Sequence, residues 1–182
     1  IIDNSRPTVN KNAIISSGYR LLKIDKIDNS SISQEILEKI TKNIKNEKCN
    51  GLLLSDFRHG IFNKLTIEKI LHSIPKKIFK AADSQVASRW GNIIEFPNFD
   101  LITPNEREAR FALADQDSTV GTLSSILYEK TKYKNLIMKL GQKGVFCSSN
   151  SKNDNTYFSL DSFAETIVDP VGAGDALIAY SS

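Results

Sequence analysis

The hydrophobic and polar positions of the chain follow two different patterns. Residues 33–47 place Ile36, Ile40 and Ile44 four positions apart, which is the spacing of one face of a helix. Residues 51–56 instead begin with a continuous apolar run, Gly-Leu-Leu-Leu, and end in Ser-Asp, which is typical of a strand buried on both faces. The first pattern predicts an amphipathic helix, and the second predicts a strand of a parallel sheet.

The same two patterns recur along the rest of the chain. Further helices are predicted at residues 65–74, 105–114 and 118–132 and from near Asp175 onward. Further strands are predicted at residues 77–83, 100–103, 135–140 and 144–148, with two short strands joined by a turn in 11–25, a polar turn or loop at 149–155 and extended segments in 157–168. Because strands and helices alternate, we expect an α/β fold, a doubly wound and mostly parallel sheet with helices on both faces.

Composition and charge exclude several classes of protein. The 182 residues are 40% hydrophobic and 25% charged, which predicts a single globular domain over residues 1–182. The excess of 24 Lys and Arg over 21 Asp and Glu is too small to indicate a nucleic acid or an acidic membrane as partner. The apolar runs are too short to span a bilayer. Because Cys49 and Cys147 form no CxxC pair, we expect a reducing, cytoplasmic location.

The two ends of the sequence predict a piece of a longer protein. The chain opens at Ile1 rather than at a Met, and it closes on Ala179–Ser182, in the middle of a predicted helix. We therefore expect the sheet to be incomplete at both ends, with part of any active site outside this sequence.

The strongest candidate chemistry lies in residues 169–175, Asp-Pro-Val-Gly-Ala-Gly-Asp. Gly172 and Gly174 flank Ala173 just before a predicted helix, so a phosphate can approach the free N–H groups of the first turn. The carboxylate of Asp175 beside such a site suits a general base that takes the proton of an attacking hydroxyl. The alternative is a tight turn in which Asp175 only complements the helix dipole. The spacing leaves both interpretations open.

This segment resembles the C-terminal signature of the ribokinase-like, PfkB-type carbohydrate kinase family, and three further segments agree in the right order. Residues 55–60 (Ser-Asp-Phe-Arg-His-Gly) resemble its strand-end segment, residues 103–109 (Thr-Pro-Asn-Glu-Arg-Glu-Ala) its Asn-x-x-Glu motif, and residues 139–145 (Lys-Leu-Gly-Gln-Lys-Gly-Val) its nucleotide loop. Residues 6–8 and 11–25 most resemble the heptose-7-phosphate kinase branch, the kinase half of ADP-heptose synthases.

The resemblance implies an ATP-dependent kinase that uses Mg²⁺ and phosphorylates a hydroxyl of a sugar or sugar phosphate, such as heptose 7-phosphate. Its implied site has Asp175 as general base, an anion hole of Gly172, Ala173 and Gly174, nucleotide contacts from Lys139, Gly141 and Gly144, and magnesium held through its waters by Asn105 and Glu108. The sequence departs from the family at Lys139, where Thr is usual, and at Pro170, where Thr or Val is commoner. A homodimer through a lid region is also implied, with the lid and the sugar-binding part expected upstream of Ile1.

Several of these assignments have a structural alternative. Asn105 and Glu108 are spaced as a helix capping box. Gly141 and Gly144 are spaced as hairpin glycines. Lys139 can equally be a solvated lysine at a strand end.

Four further residues are candidates to contact the substrate or another ligand. Asp56 ends a buried strand, at the edge where doubly wound folds place ligands. The alternative is a turn Asp that caps its own backbone, and Asp83 has the same two interpretations. Arg6 and Lys11 are candidates to meet a phosphate that the substrate already carries.

Two functions other than a kinase are also compatible with parts of the sequence. The chain can be a non-catalytic nucleotide-binding relic or regulatory fragment of a carbohydrate kinase. A methyltransferase or dehydrogenase that uses 172–174 as a dinucleotide turn is disfavoured, because these glycines lie near the C-terminus and lack the full G-x-G-x-x-G pattern. The joint presence of Asp175, Asn105 and Glu108 favours the kinase.

Overall fold

The computed structural model describes residues 1–17, 19–85, 92–151, 154–164 and 171–182. This part of the chain contains the strands β1 (Asn10–Ser16), β2 (Tyr19–Lys26), β3 (Gly51–Asp56), β4 (Phe79–Ser84), β5 (Leu101–Ile102), β6 (Asn135–Lys139), β7 (Val145–Ser151) and β8 (Asp154–Leu160). It also contains the helices α1 (Gln34–Asn46), α2 (Lys64–Ser73), α3 (Glu106–Leu113), α4 (Val120–Thr131) and α5 (Ala173–Ser181). None of these helices combines the length and the apolar character that a bilayer crossing needs.

Six strands form the main sheet, in the order β3-β4-β5-β6-β7-β8. The pairs from β3 to β6 are parallel, and β7 and β8 add an antiparallel edge. Parallel strands bring their carboxyl ends to one edge of a sheet, and in an open α/β sheet this is where ligands bind. The predicted α/β fold with a mostly parallel sheet is confirmed.

Helices cover both faces of this sheet, as the sequence predicts. Ala82 and Ile102 belong to a large core that also contains buried side chains of α1, α2, α3 and α4. Ala81 and Leu101, one position earlier in the same two strands, pack instead against Ile178 of α5. Because successive strand residues point to opposite faces, α5 lies on the face opposite the other four helices.

β1 and β2 form a two-stranded antiparallel hairpin outside the main sheet. This confirms the two strands predicted in residues 11–25, and the pairing shifts register between Ile14 and Ile15. Every position of the two strands is exposed. Arg6 fastens the segment before the hairpin, because its Nη2 donates to the backbone oxygen of His59 at 3.1 Å.

One predicted turn is shorter than the sequence indicates, because the chain reverses direction only between Ser151 and Asp154. Residues 149–155 are polar and predict a turn or loop, but β7 continues into this segment and β8 begins within it, so that Asn150 pairs with Asn155. The strand bonds come from the backbone, and an antiparallel edge can face water, so polar side chains do not prevent pairing. Residues 152–153 lie outside the described part, and so do residues 165–168 of the predicted extended segments.

Candidate active site

Two charged side chains meet at the carboxyl ends of β4 and β6. Lys139 Nζ donates to both carboxylate oxygens of Asp83, at 3.0 Å and 3.1 Å. The side chains are 1% and 19% exposed for Asp83 and Lys139 respectively. Since β5 lies between these strands, the ion pair spans the end of β5. Lys139 is therefore not the solvated strand-end lysine that the sequence left open.

The first turn of α5 lies directly beside this ion pair. Gly172 adopts the left-handed conformation with φ 85°, and the helix begins at Ala173. A Cβ on Gly174 would lie 3.3 Å from Lys139 Nζ, whereas one on Gly172 would meet no described atom within 4 Å. Asp175 is exposed in the same turn. The free N–H groups of a helix N-terminus and an exposed carboxylate thus belong to one helical turn that lies next to an ammonium group.

Burial and charge act in opposite directions on Asp83. Desolvation raises the pKa of Asp83 above its ordinary value, and the charge and hydrogen bonds of Lys139 oppose that rise. The charge of Asp175 also raises the pKa of Asp83, which places the two carboxylates within electrostatic reach of each other. Asp83, Asp175 and Lys139 thus bring two carboxylates and one ammonium close together at the ends of β4 and β6. The residues of the motif that precede Val171, Pro170 among them, lie outside the described part of the chain.

Asn105 and Glu108 form the capping box of α3. The backbone N–H of Asn105 donates to Glu108 Oε2 and the backbone N–H of Glu108 donates to Asn105 Oδ1, both at 2.7 Å. The helix capping role that the sequence allowed for this pair is therefore present in the fold. No group of three or more His, Cys, Asp or Glu side chains in the described residues could hold a metal ion directly. A magnesium ion held largely through its waters stays a prediction for this pair.

Gly141 and Gly144 shape the connection from β6 to β7, with φ 63° and 86°. A Cβ on Gly144 would lie 2.0 Å from the backbone oxygen of Leu160, so this position requires glycine for packing. Gly141 instead lines an open cavity of about 1330 Å³, together with Asn105 and Lys139. The hairpin role is thus present at Gly144, and Gly141 lies where a nucleotide contact is expected.

The three predicted substrate residues all contact the segment 57–60. Asp56 is 0% exposed and accepts from Arg58 N and from Ser84 Oγ, both at 2.8 Å, so it caps its own turn. Arg6 donates within this region, as described above. Lys11 Nζ lies 5.7 Å from the centroid of the Phe57 ring. The structural alternative is therefore present for Asp56, and substrate contact stays a prediction for all three.

The sequence left Asp83 with the same two interpretations as Asp56, a ligand contact or a turn cap, and it did not predict the pairing of Asp83 with Lys139. The available signal, an acidic residue at the end of a buried strand, is identical for Asp56 and Asp83. Their partners separate them, because Asp56 contacts the turn and the strand next to it, whereas Asp83 reaches Lys139 two strands away. That difference depends on strand order, which a residue pattern does not contain.

Comparison with known proteins assigns this chain to a family. The family model described as pfkB family carbohydrate kinase matches residues 1–179. Bifunctional protein HldE of Desulfatibacillum aliphaticivorans is 25% identical over 186 residues, which cover 98% of this chain and 36% of that protein. Bifunctional protein HldE of Aliarcobacter butzleri is also 25% identical, over 98% of this chain and 37% of that protein. The chain thus spans little more than a third of these relatives.

Solved structures agree on the fold. Phosphofructokinase-2 from Escherichia coli, in complex with substrates and products, matches with a TM-score of 0.70 at 14% identity and covers 92% of this chain and 54% of that one. Arabidopsis thaliana ribokinase, complexed with ribose and ATP, matches with a TM-score of 0.64 at 19% identity over 95% of this chain and 55% of that one. At these identities the likeness shows a ribokinase-like fold.

Proposed function

Because this chain belongs to the pfkB family of carbohydrate kinases, we propose that the protein transfers a phosphoryl group from ATP to a hydroxyl of a sugar or sugar phosphate. The observation that carries the proposal is the first turn of α5, where Asp175 is exposed beside Gly174 and the Lys139 ammonium. A base, backbone N–H donors and a positive charge are the groups that phosphoryl transfer to an alcohol needs in one place.

Asp175 is the proposed general base. An exposed carboxylate in the first turn of a helix can reach a substrate hydroxyl, accept its proton and leave the oxygen free to attack phosphorus. The N–H groups of Gly172, Ala173 and Gly174 would donate to the oxygens of the transferred phosphoryl group. The helix itself is fixed to the sheet through Ile178, so the base and the donors keep one position.

The ATP phosphates are proposed to lie in the cavity that Lys139 and Gly141 line with Asn105. Magnesium supplies charge neutralisation of the triphosphate when it is bound. Asn105 and Glu108 are the proposed groups that would hold it through its waters, while their capping contacts fix both side chains at the start of α3.

The proposed sugar is a phosphorylated one, with heptose 7-phosphate as the first candidate. The support is the similarity to proteins named HldE and to the heptose-kinase branch that residues 6–8 and 11–25 show. Lys11 is the better of the two predicted phosphate contacts, because the Arg6 guanidinium already binds backbone oxygens of Asp28 and His59. A homodimer stays a prediction. The sequence placed its lid upstream of Ile1, whereas within the described residues the β1–β2 hairpin, which exposes apolar side chains, is the element we propose for it.

Turnover of ATP to ADP by the full-length protein tests the proposal. The assay uses magnesium and a panel of sugars and sugar phosphates that includes heptose 7-phosphate, with Asp175→Asn and the exposed Asp117→Asn as a matched carboxylate control. We expect one sugar to stimulate turnover, Asp175→Asn to lose about 10²-fold or more, and Asp117→Asn to retain it. If ATP binds but no sugar stimulates turnover, the non-catalytic nucleotide-binding protein replaces the kinase.

A further inference from the structure

The buried carboxylate of Asp83 takes no part in the mechanism proposed above. It is 1% exposed, and its two oxygens both accept from the ammonium of Lys139. Burying an ion pair removes two charges from water, and this desolvation cost can equal or exceed the attraction between them. The stability of the fold therefore gives no sufficient reason for placing this pair at the ligand-binding edge.

The pair lies between the two motifs that the proposed mechanism uses. On one side the ammonium of Lys139 approaches Gly174 in the first turn of α5. On the other side the backbone N–H of Lys139 donates to the backbone oxygen of Pro104 at 2.9 Å, next to Asn105. Lys139 also lines the cavity beside Asn105 and Gly141. An anion placed against the first turn of α5 would therefore meet this ammonium.

A lysine reaches such a point only when something holds its side chain there. The ammonium sits on a flexible four-carbon stem with three rotatable donors. Two of its donors are directed by the two oxygens of Asp83, which projects from a different strand. The third donor is left to point elsewhere, and the approach to Gly174 places the ammonium beside the backbone of α5.

We propose that Asp83 is a positioning residue for phosphoryl transfer, which anchors the Lys139 ammonium so that it meets the transferred phosphoryl group beside Asp175. The inference rests on the proposed function and deepens it. Asp83 also brings a second negative charge near Asp175, and the ammonium offsets that charge at the place where the phosphate would be repelled. Asp83 acts through Lys139 and touches neither ATP nor sugar.

The test is a double-variant cycle in the full-length protein, with kcat, the KM for sugar and the Kd for MgATP measured for each member. We expect Asp83→Asn to lower kcat about tenfold, the factor expected when one charge-assisted contact is lost, and to weaken MgATP binding about threefold. Because Asp83 acts through Lys139, adding Asp83→Asn to Lys139→Met should change kcat by less than about twofold. Additive losses, or a lowered melting temperature with unchanged kcat, would overturn the proposal.

Two further variants serve as a replacement and as a control for the double-variant cycle. Lys139→Met leaves Asp83 buried without its partner and can unfold, so Lys139→Gln, which still donates to Asp83 without a charge, replaces it in that event. Lys134→Met is the matched control, because Lys134 pairs with Asp100 at 2.6 Å just before the other end of β6 and is 71% exposed. We expect this control to keep both kcat and the MgATP Kd.

Calorimetric binding of MgATP separates this inference from the proposed function. If the wild-type protein binds MgATP but phosphorylates no sugar, the kinase proposal fails and the anchor is judged on binding alone. Weaker binding by Asp83→Asn then supports the anchor, and equal binding overturns it. If the wild-type protein binds no MgATP, the ammonium meets no phosphate and both proposals are overturned.

Discussion

Deleting the charge of Lys139 should destabilise the protein in a way that depends on pH. Lys139→Met keeps an unbranched apolar stem but removes the partner of Asp83, a carboxylate that is 1% exposed and bound through both oxygens. Removing one partner of a buried pair leaves an uncompensated charge, and such losses are about 3 kcal/mol. We expect a loss of that size in the free energy of unfolding near neutral pH.

The sign of the pH dependence follows from the pKa of Asp83. Burial raises this pKa and Lys139 opposes the rise, so the variant should have a still higher pKa at Asp83. A carboxyl group with a raised pKa binds more protons in the folded state. Its stabilising contribution is complete below the unfolded pKa of about 3.9 and is lost as the pH rises through the folded pKa. The variant should therefore approach wild-type stability as the pH is lowered.

Urea unfolding at about pH 8 and about pH 5 checks this expectation. Lys134→Met serves as control, because its partner Asp100 is less deeply buried and Lys134 itself is largely exposed. We expect the free energy of unfolding of Lys139→Met to fall strongly at the higher pH and less at the lower pH, and that of the control to change little. A loss that is equal at both pH values, or no larger than that of the control, would refute it.

Two glycine substitutions separate packing from chemistry. Gly144→Ala should lose about 2 kcal/mol or more in a urea titration, because its Cβ would lie 2.0 Å from the backbone oxygen of Leu160 at a positive φ; stability equal to that of wild type would contradict this contact. Gly174→Ala should keep or slightly gain stability, since alanine favours a helix by about 0.5–1 kcal/mol over glycine. It should nevertheless lower kcat, because its Cβ would lie 3.3 Å from Lys139 Nζ and displace the ammonium. An unchanged kcat would show that catalysis does not depend on the position of this ammonium.

The main features of the fold could be predicted from the periods of the sequence. The four-residue spacing of Ile36, Ile40 and Ile44 and the apolar run of β3 report local burial, which each segment carries in its own residues. The polar strand pair around Asn150 and Asn155 could not be predicted in this way. Its pairing depends on backbone bonds at a water-exposed edge, to which side-chain hydrophobicity gives no signal.

The candidate site was predictable where one short segment contains it. The motif around Asp175 and the capping pair Asn105 and Glu108 are both visible as local spacings. The contact between Asp83 and Lys139 was not predictable, because the two residues are 56 positions apart in the sequence. They come together only through the strand order of the sheet, in which β5 lies between their strands. The sequence also could not distinguish a helix capping box from a magnesium site at Asn105 and Glu108, because the same three-residue spacing suits both roles.

We propose that Asp175 acts as the general base and not as a group that binds ATP. The measurement that tests it most directly compares kcat and the MgATP Kd of wild type and Asp175→Asn on the same full-length preparations. We expect kcat to fall about 10²-fold or more while the Kd stays within about twofold, because a general base acts only on the reacting hydroxyl. An unchanged kcat, or a loss confined to MgATP binding, would contradict it.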